Sequence, residues 1–232
     1  MTAPQTVETE PTSVWRSLRA AGSAFVDNIG RFALANAAVV VTLAVSMALV
    51  RRQPIAVVLI VAVVPVAAGI GRMSARTVRG ERADWGDFRA GLSHRAATTW
   101  TVGALVIVMF VVAGFNVAFA SGGHGTLVSL SAVLSLHVAA AAAAVAAATW
   151  PLLLDPARDG VPGRAVVRQG LVVLAARPWT MIGVVGLEGL FTVAQVSVLA
   201  TAFILPTLMQ LVAAFVVVPW ADRLEARRLV HR

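Results

Sequence analysis

Six long apolar segments separated by clusters of arginine constrain this chain more than anything else in its sequence. About twenty consecutive apolar residues are what a helix needs to cross the hydrocarbon of a bilayer. In lipid, a spanning segment must satisfy its own backbone hydrogen bonds, which here selects helices. Hydrophobic residues make up 59% of the chain and charged residues 13%, more apolar surface than a soluble core of this size hides. The expected fold is all-α: a polytopic membrane helix bundle of six transmembrane helices with both termini cytoplasmic, plus an N-terminal amphipathic helix.

The spans read as follows. Residues 32–50 form the first, and Arg51-Arg52-Gln53 leaves room only for a tight hairpin. Pro54 opens the second, 54–71, at a first-turn position where its missing N–H costs nothing; Pro65 and Gly69 are kink points. Residues 97–120 and 126–150 form the third and fourth, joined by a glycine-rich turn that includes His124. Between Met181 and Pro219 the one formal charge is Glu188, and the stretch is long enough for two helices, about 180–200 and 204–220, with Pro206 in the first turn of the latter. These spans make a membrane domain of 32–225, preceded by a disordered leader (1–12) and followed by a basic cytoplasmic tail (226–232).

Charge sets the orientation. All 19 basic residues are arginine, and a cytoplasmic N-terminus puts every one of them inside except Arg51 and Arg52, the bias that positive-inside topology requires. Trp100, Trp150, Trp179 and Trp220 flank spans at that same face. The arginine-only basic set and the abundance of alanine, valine and glycine fit a GC-rich bacterial genome, and the expected location is the bacterial cytoplasmic membrane, multi-pass. No A-x-A-like site follows the first apolar run, so no cleavable signal peptide is expected.

Two cytoplasmic segments carry more than topology. In 13–31, Val14, Leu18, Ala21, Phe25 and Ile29 recur at helical spacing, which predicts an amphipathic helix on the inner leaflet; a loose polar leader is the alternative. After the second span, Arg72, Arg76 and Arg79 share one helix face, followed by Glu81, Asp84, Trp85, Asp87, Phe88 and Arg89. One reading is anchoring on anionic lipid, at roughly 1 kcal/mol per arginine near the surface. The other is docking of a partner, to which Trp85 and Phe88, apolar groups among charges, point.

The run Pro65…Arg72…Arg76…Val78-Arg79-Gly80-Glu81…Asp87-Phe88-Arg89-Ala90-Gly91 resembles the YesL-like family of bacterial integral membrane proteins, whose biochemical activity is unknown. Trp150-Pro151-Leu152-Leu153-Leu154, Arg168 and Ala176-Arg177-Pro178 extend the resemblance over about 25–225, and Asn36 matches an early asparagine. The long leader departs from the pattern, as does Arg89 where a tryptophan often stands. The resemblance implies a carbohydrate-uptake context without assigning a role.

Inside the membrane, Glu188 begins a polar stripe with Thr192 and Gln195, beside Gly183, Gly186 and Gly189. Intramembrane carboxylates are costly and mark function or a satisfied interhelical bond. His137 lies within about 6 Å of the same depth. An imidazole–carboxylate proton or cation relay is therefore one reading; a structural bond, or a protonated Glu188 paired with Asn116 or a backbone carbonyl, is the other.

No chemistry-bearing motif accompanies these groups. The chain has no cysteine, and no Ser/His/Asp set, phosphate-binding loop or metal-ligand spacing; no cofactor, metal or nucleic-acid partner is expected. Asp155-Pro156-Ala157-Arg158-Asp159-Gly160 faintly echoes the start of CDP-alcohol phosphotransferases, but its spacing is wrong and the second carboxylate pair is missing. It reads as turn chemistry. The expected function is a non-enzymatic accessory or regulatory partner of a solute uptake system, bound to its transporter subunits; the alternative is an independent small transporter or channel using the Glu188/His137 site. The Ala139–Ala144 run and the glycines near Glu188 suit internal packing or a homo-oligomer equally.

Overall fold

The computed structural model describes residues 14–52, 61–123, 125–197 and 204–230. Among these residues there are helices and turns but no strand. The helices are α1 (Val14–Asp27), α2 (Ile29–Arg52), α3 (Val63–Val78), α4 (Trp85–Ser93), α5 (Ala96–Ala120), α6 (Thr126–Leu153), α7 (Gly163–Ala176), α8 (Pro178–Ser197) and α9 (Leu205–Val230). Four of them, α2, α5, α6 and α9, are long and apolar enough to cross a membrane, and α7 with α8, bent by 102° at their junction, makes a fifth candidate. The first half of the expected second span and the turn expected between the fifth and sixth lie outside the described residues.

Element boundaries follow local chemistry. The chain turns at Asn28, whose side-chain amide donates to the Ala24 carbonyl and whose own carbonyl accepts from Arg31 and Phe32. Therefore α2 starts at Ile29, three residues before the apolar run itself. The Asp84 carboxylate accepts from the Gly86 N–H and caps α4. Helix α9 does not stop at Trp220; it continues as one helix through Asp222, Glu225 and Arg228.

α3 is the hub. Ala68 through Ala75 are buried on every side of it, with α4 and α9 packed most extensively against it and α2 next. Small residues permit this. A Cβ added at Gly91 of α4 would lie 2.7 Å from the Ala68 carbonyl oxygen and from the Gly69 Cα of α3, so the two backbones touch there. At Gly69 the Phe88 ring occupies the space a side chain would need.

The helix ends at one face of the molecule are drawn together. Arg72 and Arg79 near the end of α3 reach Asp159, Asp155 and Asp222. Arg95, at the start of α5, donates to the carbonyls of Leu153 and Val161, and Arg177, before α8, lies 4.0 Å over the Trp220 ring of α9. Away from this base the helices are bare: 56% of the apolar stretch of α9 is buried, but only 11% of that of α5 and 17% of that of α6. Away from the base, Thr207 Oγ1 donates to Asn36 Oδ1 at 2.8 Å and joins α9 to α2, with both residues fully buried.

α1 forms over Val14–Asp27 and turns its apolar face to protein. Its Ser17, Ala21 and Phe25 face is buried and packs chiefly on α9, and Phe25 stacks on Phe32 at 5.9 Å. Trp15 and Ile29 remain exposed. The tryptophans also divide. Trp100 and Trp179 are exposed as an interfacial belt requires, whereas Trp150 and Trp220 are buried. Trp150 fits because Gly71 and Gly103 lack the side chains that would strike its ring.

Gly91→Val is expected to lower stability by about 1–3 kcal/mol, since its branches meet backbone that cannot yield. Gly114, where an added Cβ meets nothing within 4 Å, should accept alanine with little change. Melting of the two variants in detergent measures the difference.

Candidate functional site

The base of the bundle holds a lattice of ion pairs built from four separate chain segments. Arg72 meets Asp159 as a two-pronged pair, Nη1–Oδ1 2.9 Å and Nη2–Oδ2 2.6 Å, the geometry in which guanidinium and carboxylate bind most strongly. Arg79 bridges two carboxylates, Asp155 at 2.5 Å and Asp222 at 2.8 Å. Arg158 does the same from the far side, donating to Asp155, Asp222 and Glu225, and Gln169 of α7 donates to Glu225. Asp155 and Arg158 are almost completely buried. Desolvating such charges costs several kcal/mol each and is offset only where every partner is in place.

Arg95 completes the lattice through the backbone. Its φ of +46° lies in the left-handed region, unusual for a residue with a side chain. In that conformation its guanidinium donates to the carbonyls of Leu153, Arg158 and Val161, at the end of α6 and in the turn that follows it.

The electrostatics follow from this crowding. Hydrogen bonds from Arg72 hold Asp159 below the usual carboxylate range, against the opposing effect of burial. At Asp222 burial pushes upward, but hydrogen bonds from Arg79 and Arg158 prevail and its pKa is lowered. Arg79 is held protonated even more firmly than a free guanidinium, chiefly by its bond to Asp155. His94 stands 3.2 Å from Asp159. Burial nevertheless lowers its pKa, and the charges of Arg72 and Arg95 add to the effect, together outweighing the aspartate.

The residues singled out by the sequence are thus redistributed. Arg72, Arg76 and Arg79 do share a helix, but they do not form an outward basic stripe. Arg72 is buried, Arg79 is spent on Asp155 and Asp222, and Arg76 pairs with Glu81 at 2.7 Å and Asp87 at 2.9 Å. Carboxylates brought close by α4, α9 and the turn after α6 draw them inward. Trp85 and Phe88 meet edge to face at 5.4 Å and pack against the core containing Phe25, Phe32 and Met73. Of the expected docking set, Arg89 remains exposed.

The intramembrane pair does not form. His137 is exposed on α6, and its Nδ1 lies 2.7 Å from the Val133 carbonyl of its own helix. Glu188 sits on the same side of α8 as the buried Met181 and Val184. Among the described residues no hydrogen bond or ion pair reaches its carboxylate, from His137, Asn116 or elsewhere. Thr192 donates to the Glu188 backbone carbonyl at 2.8 Å and is exposed; the Gln195 side chain lies outside the described residues. The Ala132 and Ala139 face of α6, which is buried, turns His137 toward the opposite side.

In the sequence Asp155, Arg158 and Asp159 read only as turn chemistry, and Asp222 and Glu225 are not singled out. The turn reading is correct as far as it goes, because the Asp155 carboxylate accepts from the Ala157 N–H. The signal for the rest is charge complementarity: acids three or four residues apart after one span and within another, facing arginines spaced three and four apart after a third. Among the described residues no three histidines or carboxylates group as a metal site. Comparison with protein families, with characterised proteins and with solved structures returns no match.

Asp155→Ala removes the fully buried partner that Arg79 and Arg158 share and should cost about 3 kcal/mol, whereas Glu81→Ala, at an exposed pair, should cost less than about 1 kcal/mol; thermal melts decide. Acidification should weaken the base in two steps. His94 has a folded pKa below its unfolded one, so its contribution is full above the ordinary imidazole range and is lost as pH falls below about 6.5. Asp159 and Asp222, also depressed, lose theirs only below the carboxylate range. Melting temperature against pH should show both steps, and His94→Gln should remove the first.

Proposed function

We propose that this chain is a non-enzymatic, multi-pass protein of the bacterial cytoplasmic membrane that serves as an accessory or regulatory partner of a solute uptake system. Six spans with both termini cytoplasmic is the topology we infer. Convergence of the end of α3, the start of α5, the end of α6, the α7–α8 junction and the cytoplasmic half of α9 on one face supports it. The arginine bias supports an inside location for that face.

One observation carries the accessory reading. Each of the seven carboxylates from Glu81 to Glu225 other than Glu188 accepts from an internal donor. Arg82, Arg89, Arg164, Arg168, Arg227 and Arg228, by contrast, are exposed, and among the described residues they make no ion pair. The base is therefore internally neutralised and fixed, and presents its surplus charge outward. Such a surface suits anionic headgroups and an acidic partner. A carbohydrate as the solute rests on the family resemblance alone.

The second reading, an autonomous transporter working through Glu188, is favoured by that unpaired carboxylate on the inner side of α8. It lacks the His137 partner that a relay needs. Affinity purification from native membranes in mild detergent should recover transporter subunits in stoichiometric amounts, and Arg82→Glu with Arg89→Glu should reduce that recovery several-fold. Recovery of the chain alone, with solute uptake into proteoliposomes that Glu188→Gln abolishes, would establish the second reading instead.

A further inference from the structure

A cleft of about 900 Å³ opens between the α1–α2 elbow and the turn joining α3 to α4. Asp27 and Arg31 line it on one side and Glu81, Arg82 and Trp85 on the other. Gly80, at a φ of +79°, makes the turn that forms its far wall, a conformation that favours glycine. Arg31 spans the cleft by donating to the buried Ala83 carbonyl, which fixes the two walls relative to each other.

The charges in this cleft behave unlike those of the lattice. Two are acidic and two basic, yet among the described residues Asp27, Arg31 and Arg82 make no ion pair; Glu81 alone is engaged, through Oε2 with Arg76. In the lattice, by contrast, Arg72, Arg79 and Arg158 have closed on Asp155, Asp159 and Asp222. In the cleft the walls hold opposite charges apart with a volume between them.

We propose that this cleft binds the headgroup of a zwitterionic membrane phospholipid, one carrying an ammonium group beside its phosphodiester. Arg82 and the remaining donors of Arg31 take the phosphate, in the charge-assisted geometry guanidinium groups favour. Asp27, with the free oxygen of Glu81, takes the ammonium group. The source is a lipid rather than a soluble zwitterion because of where the cleft lies. Ile29, one of its lining residues, is the first residue of a candidate membrane span and is 55% exposed. The mouth thus opens at the water boundary of α2, with an apolar edge along which acyl chains leave. The inference rests on α2 being a span and holds for the accessory and the transporter readings alike.

The test is titration of the full-length, delipidated protein in detergent, followed by native mass spectrometry. The probes are dioctanoyl phosphatidylethanolamine, dioctanoyl phosphatidylglycerol and free phosphoethanolamine. The ethanolamine lipid should bind at one saturable site, about tenfold or more tighter than the glycerol lipid, the value of one charge-assisted bond. Arg82→Ala should weaken binding of both lipids about tenfold, and Asp27→Asn should lower the ethanolamine lipid to the level of the glycerol lipid. Asp27 and Arg82 are exposed and make no internal ion pair, so melting temperatures of both variants should match the unaltered protein and exclude misfolding as the cause. Equal binding of the two lipids, or an Asp27→Asn variant that still prefers the ethanolamine lipid, would overturn the zwitterion assignment. Free phosphoethanolamine binding as tightly as its lipid would overturn the membrane source.

Discussion

The pairing of Asp155 with Arg79 and Arg158 is the constraint on which the rest of this structure depends. Asp155 follows α6, Arg79 follows α3, and Asp222, which both arginines also reach, lies on α9. One carboxylate with no exposure to water thus fixes the mutual position of three helices. Buried ion pairs add little net stability compared with apolar packing, but breaking one is expensive. The lattice accordingly acts less as glue than as a definition of register: any other alignment of α3, α6 and α9 leaves a charge stranded in a dry environment.

Helices α2, α5 and α6 differ in kind. Their exposed aromatic and aliphatic side chains, such as Phe110, Phe115 and Leu134, need no protein neighbour in lipid, where acyl chains solvate them as well as leucine would. What orders these helices is their anchorage at the base, together with close contacts such as Ala113 of α5 and Ala132 and Ala139 of α6, which are buried. The molecule is therefore tightly specified at one end and solvated by its medium at the other.

The sequence revealed much of the all-helical architecture and little of the site, for a physical reason. Apolar length is a local property, so α2, α5, α6 and α9 could be read directly from runs of alanine, valine and leucine. The orientation of an arginine is not local. Arg72, Arg76 and Arg79 have the spacing of a lipid-facing stripe, and only the arrival of Asp159, Asp87 and Asp155 from elsewhere turns them inward. Trp150 likewise has an interfacial address in the sequence and a buried one in the fold, because Gly71 and Gly103 open a slot that no periodicity announces. Counting residues along a helix assigns His137 and Glu188 similar depths, but it supplies no direction, and His137 is exposed with its ring against its own helix.

The sequence separation of the lattice partners has a consequence for synthesis. Arg79 lies 143 residues from Asp222, so Arg79 and Arg158 share the single carboxylate of Asp155 until α9 has been made. A chain stopped after α8 carries the surplus positive charge of Arg79 and Arg158 in a site designed to be neutral. Chains lacking α9 thereby differ from those containing it in the charge balance of the base. The same contacts that set helix register are therefore balanced in charge only once α9 is in place.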